Sequence, residues 1–85
     1  MTKQPPAGWR LEGKALVREF EFKDFLAALD FVNAVGTQAE AIQHHPDILL
    51  HNYRKVKITT STHDVGGLTE NDFELAERIN KLGIN

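Results

Sequence analysis

The chain has 85 residues, a formal net charge of −2 and no cysteine. A chain this short forms one domain with a small core, so self-association would help to stabilise it. The lack of cysteine excludes disulfides, thiolate metal sites and a cysteine nucleophile. Lysines and arginines are scattered among acidic residues, which disfavours direct nucleic-acid binding. Because the chain has neither an apolar leader nor a stretch of roughly 20 apolar residues, we expect a cytoplasmic protein without membrane contact.

The chain divides into a short leading segment and one domain. Two prolines and a glycine predict that residues 1–8 are irregular. Residues 9–85 carry the patterns of a single α+β domain. The predicted order is β-β-α-β-β-α, with a four-stranded, mainly antiparallel sheet and two helices packed on one face. The other sheet face is left to water or to a second subunit.

The first two strands are predicted on either side of a turn at Gly13. They begin at Trp9 and at Ala15, and together they form a β-hairpin. The longer strand has an apolar row at period two, which Arg18 interrupts; the row consists of Leu16, Phe20 and Phe22. A charge in this row is compatible with an edge strand or with a subunit contact.

The first helix is predicted to begin after Asp24 and to run to about Glu40. Its apolar positions at helical spacing are Phe25, Leu29, Val32, Gly36 and Ala39. Pro46 requires the helix to end before it, which places His44 and His45 at the helix exit.

Two more strands and a second helix complete the domain. The strands are predicted at residues 48–50 and 56–62, the latter with alternating β-branched residues. The helix begins after Thr69, where Asp72 can close a capping box, and runs to about Leu82. Its apolar stripe is expected to include Ala76 and Ile79.

All four histidines fall within residues 40–72, and three of them form a spaced set with the carboxylates Glu40 and Asp72. Histidine gives and takes protons near neutral pH, so this density indicates acid/base chemistry. The full set has the spacing Glu40-x3-His44-His45-Pro46-x6-Tyr53-x9-His63-x8-Asp72. The fourth histidine, His51, is expected to be an exposed strand residue.

This pattern, together with Ser61-Thr62 and residues 66–69, resembles the signature of the pterin-4a-carbinolamine dehydratases. The resemblance covers nearly the whole chain. It implies dehydration of 4a-hydroxytetrahydropterin to quinonoid dihydropterin in tetrahydrobiopterin-type recycling, with no metal or organic cofactor. It also implies a pterin substrate, a homodimer or homotetramer, and a functional link to a pterin-dependent aromatic amino-acid hydroxylase.

The resemblance also implies a role for each site residue. His44 and His63 would be the acid/base pair, and His45 would orient the substrate and hydrogen-bond the departing oxygen. The expected substrate-binding residues are Glu40, Pro46, Ser61, Thr62 and Asp72.

Several alternatives stay open. Asp72 can equally serve only to cap its helix, and Glu40 can be a helix-surface residue. Three histidines and a carboxylate can also bind zinc, although the spacing matches no common zinc motif. At the level of function, the alternative is a non-catalytic pterin-binding or protein-interaction module of the transcription-coactivator type.

Overall fold

The computed structural model describes residues 4–82, and for His63 the backbone alone. The chain forms strand β1 (Arg10–Glu12), strand β2 (Ala15–Glu21), helix α1 (Phe25–Ile42), strand β3 (Asp47–His51), strand β4 (Lys55–Thr60), a short 3-10 turn (His63–Val65) and helix α2 (Glu70–Asn80). The four strands make one antiparallel sheet in the order β1-β2-β4-β3. The predicted fold is confirmed. Neither helix in the described residues is long and apolar enough to cross a membrane.

The leading segment is only partly described. Residues 1–3 lie outside the described part of the chain, and residues 4–8 form neither helix nor strand. A turn at Ala7-Gly8 brings the chain to Trp9, whose backbone N–H donates to the carbonyl of Pro6 at 3.0 Å.

Of the two explanations offered for the charge in this row, an edge strand or a subunit contact, the edge strand is wrong, because β2 lies between β1 and β4. Arg18 is accommodated by specific partners on the core side. Its guanidinium lies 4.5 Å from the centre of the Phe20 ring and donates to Asn80 Oδ1 at 2.6 Å and to the Ala7 carbonyl at 3.3 Å. An arginine can therefore occupy an apolar row while its charge keeps hydrogen-bond partners.

The core lies between the sheet and the two helices. An aromatic cluster forms its centre, with the Phe31 ring 4.6 Å from Phe20 and 4.9 Å from Phe22, measured between ring centres. The strands add Leu16, Val56 and Ile58 at period two, and α2 adds Phe73, Leu75, Ala76 and Ile79. The stripe predicted for α2 is confirmed, and Phe73 extends it.

Helix α1 presents a different face to the core from the one predicted. Its buried residues are Ala28, Phe31, Val35 and Ala39. Phe25, at the start of the predicted stripe, is 46% exposed. Most of the buried row is displaced by one residue from the predicted row, which is about 100° around a helix. The sequence has apolar residues on both sides of the first turns, and the aromatic cluster selects the side that holds Phe31.

The sheet face away from the helices is largely charged. Glu19 lies opposite Lys57 and Glu21 lies opposite Lys55 across the β2–β4 ladder. Cross-strand pairs of opposite charge are favourable on a solvated sheet surface. Leu49 is an apolar exception, at 54% exposure.

Replacing Phe31 with alanine should lower the free energy of unfolding by about 3–5 kcal/mol, because it empties the centre of the aromatic cluster. Phe25→Ala on the same helix is the matched control and should cost about 1 kcal/mol or less. Urea denaturation followed by circular dichroism measures both. Equal losses in the two variants would contradict the observed orientation of α1.

Candidate active site

Asp72 is the buried polar centre of the site, with 0% of its surface exposed. Its Oδ2 accepts from the backbone N–H of Thr69 at 2.9 Å, which closes the predicted capping box, and from the Thr62 hydroxyl at 2.7 Å. Its Oδ1 accepts from the Thr60 hydroxyl at 2.6 Å and lies 2.6 Å from His44 Nε2. Each carboxylate oxygen thus has two partners, as a buried charge requires.

These contacts fix the protonation of the carboxylate. Burial alone raises the pKa of Asp72, but the hydrogen bonds from Thr60, Thr62, Thr69 and His44 outweigh it, so the pKa is lowered. Near neutral pH the carboxylate is therefore ionised and only accepts hydrogen bonds. His44 must then carry a proton on Nε2, which leaves Nδ1 as the unprotonated nitrogen of the neutral ring.

The end of α1 places the histidine pair. The helix ends at Ile42, and Gln43 takes a left-handed conformation with φ 51°. The backbone N–H of His44 then donates to the Ala39 carbonyl at 3.0 Å. Pro46 follows and β3 begins at the next residue. The predicted position of the pair at the helix exit is confirmed.

The two adjacent histidines have different surroundings. The side chain of His44 is 12% exposed and contacts the buried Asp72. The side chain of His45 is 56% exposed, and its Nε2 lies 2.5 Å from Oε2 of the exposed Glu40. Of these two histidines, only His44 contacts a buried charge.

An open depression of about 290 Å³ lies beside these residues. Its lining consists of Gln43, His44, His45, Ser61, Thr62 and Asp64. Four of the predicted site residues therefore meet here, while Glu40 and Asp72 hydrogen-bond to the two histidines. Pro46 is half-buried in the loop behind the pair. Tyr53 lies apart, 61% exposed in the turn between β3 and β4.

The backbone of His63 starts the 3-10 turn directly after Thr62, and its side chain lies outside the described residues. The loop that carries it is closed by two hydrogen bonds between Thr62 and Gly67, at 2.7 and 3.2 Å. Gly66 allows this closure because it adopts φ 64°, a conformation that glycine takes without strain.

Three residues of the site were not predicted: Thr60, Gln43 and Asp64. Thr60 continues the apolar row of Val56 and Ile58, and a hydroxyl in a buried row must find a partner. The sequence signal for Thr60 is therefore this single hydroxyl in an otherwise apolar row. Gln43 and Asp64 flank predicted histidines, but sequence proximity does not show which neighbours face a depression.

A zinc site would require three or four ligand side chains close together. Among the described side chains, no three histidine, cysteine, aspartate or glutamate residues are grouped so that they could hold a metal ion. The polar contacts of Asp72 are made to two threonine hydroxyls, one backbone N–H and one imidazole.

Comparison with known proteins identifies one family. The family model of pterin 4 alpha carbinolamine dehydratase matches residues 1–82. A protein of Trichormus variabilis is 49% identical over 76 residues, which cover 89% of this chain and 81% of that protein. A protein of Cyanothece is 51% identical over 74 residues, with 87% and 75% covered. Both are provisionally named pterin-4-alpha-carbinolamine dehydratase.

Two solved structures have a similar fold. One is a transcriptional coactivator/pterin dehydratase from Brucella melitensis, with a TM-score of 0.79, 37% identity, and 87% of this chain and 80% of that one covered. The other is a pterin dehydratase-like protein identified as a RuBisCO assembly factor in the alpha-carboxysome. It has a TM-score of 0.75, 25% identity, and 94% and 95% coverage.

Asp72→Asn should destabilise the protein by about 1–3 kcal/mol at pH 7, because the amide replaces one acceptor with a donor. A carboxyl group whose pKa is lowered by folding stabilises the folded state above its unfolded pKa of roughly 3.9. That contribution is lost as the pH falls through the folded value. The stability difference between wild type and variant should therefore shrink below about pH 4.

Urea denaturation between pH 7 and 3 measures this difference. Asp30→Asn, at an exposed position of α1, is the control and should leave the pH dependence unchanged. A difference between wild type and Asp72→Asn that stays constant over the whole range would contradict an ionised, hydrogen-bonded carboxylate.

Proposed function

Because this chain belongs to the pterin-4-alpha-carbinolamine dehydratase family, we propose that it dehydrates 4a-hydroxytetrahydropterin to quinonoid dihydropterin. The observation that supports this most is the pairing of His44 with the buried Asp72 beside an open depression. An imidazole held in one tautomer by an ionised carboxylate is suited to proton transfer.

The reaction requires two proton transfers and no change of oxidation state. The bond from C4a to the hydroxyl oxygen breaks, and the oxygen takes up a proton so that it leaves as water. The N5 proton is removed as the double bond between C4a and N5 forms. One general acid and one general base balance this step, and each contributes roughly 10²–10⁴-fold when well placed.

The contacts of His44 suit it to the role of general base. Its unprotonated Nδ1 would accept the N5 proton, and Asp72 would stabilise the imidazolium that results. His63 would then be the acid that protonates the departing oxygen. His45, paired with Glu40, would orient the substrate.

The remaining predicted residues have supporting roles in this proposal. Ser61 and Thr62 line the depression and offer hydroxyl groups to the pterin ring. Pro46 directs the loop that holds the histidine pair. Asp72 acts through His44, since its oxygens are already engaged.

The biological setting follows from the substrate. A pterin-dependent aromatic amino-acid hydroxylase would supply the 4a-hydroxy compound, and dehydration would allow its recycling as in tetrahydrobiopterin metabolism. We propose a cytoplasmic homodimer or homotetramer that works without metal or organic cofactor.

A second candidate is a non-catalytic pterin-binding or protein-interaction module. It is favoured by the names of the two similar structures, which include a transcriptional coactivator and a RuBisCO assembly factor. A purely adhesive surface has no need of a buried carboxylate that fixes an imidazole, so we rank this candidate second.

Stopped-flow absorbance should show that the protein accelerates the decay of 4a-hydroxytetrahydropterin generated in situ. The acceleration should persist after treatment with a chelator, since proton transfer alone is required. No acceleration by folded protein would favour the interaction module. Activity that is lost on chelation and restored by zinc would favour the zinc alternative.

His44→Ala and His63→Ala should each lower kcat by roughly 100-fold or more, because each removes one proton-transfer group. His51→Ala makes the same change on strand β3, outside the depression, and should retain wild-type kcat. Circular dichroism checks that each variant is folded. Wild-type turnover in a folded His63→Ala variant would remove His63 from the mechanism.

A further inference from the structure

Thr60 is a buried hydroxyl at a position where packing requires only an apolar side chain. It follows Val56 and Ile58 on the core face of β4, and all three are at most 1% exposed. Valine has nearly the same shape and no polar atom that needs a partner. Packing therefore explains the size of this side chain but not its hydroxyl group.

The hydroxyl of Thr60 donates to the oxygen of Asp72 that also contacts His44. Both contacts to Oδ1 measure 2.6 Å. The two oxygens of Asp72 have different partners. Oδ1 contacts Thr60 and His44, whereas Oδ2 accepts from the Thr69 N–H of the capping box and from the Thr62 hydroxyl. The capping box is thus complete without Thr60, and the Thr60 hydrogen bond falls on the oxygen that faces His44.

A second donor on Oδ1 has two physical effects. It restrains rotation of the carboxylate, so that Oδ1 stays aligned with His44 Nε2. It also stabilises the negative charge, which makes the carboxylate a weaker base towards the imidazole. Without the hydroxyl, the carboxylate would be more mobile and would hold a protonated His44 more tightly.

We propose that Thr60 is a positioning residue that acts through Asp72 Oδ1 to set the orientation and proton affinity of His44. The proposal rests on the dehydration proposed above, because it assigns Thr60 a part in that reaction. Thr60 does not line the depression, so its effect should fall on kcat and not on substrate binding.

Other titratable groups lie on the elements that meet at the pair, and they stay the same in every variant. His45 and Glu40 lie at the exit of α1, Asp64 lines the depression, and Glu70 lies in the first turn of α2. A difference between variants at position 60 therefore reports on the hydroxyl of that residue.

Two substitutions separate the hydroxyl from the shape of the side chain. Thr60→Val keeps the shape and removes the donor, whereas Thr60→Ser keeps the donor and removes a methyl group. Thr59→Val is the control, because it makes the same change one residue earlier on the opposite sheet face. If the valine variant does not fold, Thr60→Cys replaces it, since a thiol is only a weak donor.

The valine variant should lose about tenfold or more in kcat, with KM within about twofold of wild type. The fall of kcat/KM on acidification should begin at higher pH, because a more basic carboxylate favours protonated His44. Thr60→Ser and Thr59→Val should stay within about twofold of wild type. A valine variant with wild-type kcat and pH profile would overturn the proposal, and so would equal losses in the valine and serine variants.

A spectroscopic measurement keeps this test separate from the proposed function. Nitrogen-15 NMR of the His44 ring reports the tautomer and its response to pH whether or not the protein turns over substrate. If the wild type shows no turnover, the proposed dehydration fails, and the ring spectra still decide the role of Thr60. Changed His44 ring signals in Thr60→Val with wild-type signals in Thr60→Ser support positioning. Unchanged signals in Thr60→Val contradict it.

Discussion

A single buried carboxylate connects the parts of the fold that meet at the site. Asp72 belongs to α2, and its partners come from β4, from the loop that follows it and from the exit of α1. An ionised carboxylate is costly in the interior unless its oxygens are hydrogen-bonded, so these elements hold one another in place. The stability of the start of α2 and the orientation of His44 therefore depend on the same group.

The other end of α2 is fixed by a second polar contact. Asn80 Oδ1 accepts from Trp9 Nε1 at 2.9 Å and from Arg18 at 2.6 Å, while Asn80 Nδ2 donates to the Ala7 carbonyl at 3.0 Å. Helix α2 is thus held at both ends. Its first turn is hydrogen-bonded to the site through Asp72, and its last turn is hydrogen-bonded to the leading segment through Asn80. With the aromatic core beneath it, the helix is a rigid support for the carboxylate.

The sequence predicts the order of elements and the capping box because both depend on local patterns. The strands show an apolar period of two, and the capping box follows from the spacing of Thr69 and Asp72. The buried face of α1 does not follow from the local pattern, since Phe25 and Phe31 are equally apolar. Phe31 is selected by the rings of Phe20 on β2 and Phe22 just after it. The sequence left open whether Asp72 caps α2 or contributes to the site. In the structure it does both, because Oδ2 accepts from the Thr69 N–H and Oδ1 contacts His44. The sequence cannot predict which of the two oxygens contacts His44, because that depends on the tertiary structure.

The measurement that tests the account most directly is the nitrogen-15 NMR spectrum of the His44 ring in the wild-type protein near neutral pH. The contact with ionised Asp72 predicts that the neutral form of the ring carries its proton on Nε2 and leaves Nδ1 unprotonated. In Asp72→Asn this preference should weaken. A neutral wild-type ring with its proton on Nδ1, or a mixture of neutral tautomers that Asp72→Asn leaves unchanged, would contradict the central role of the carboxylate.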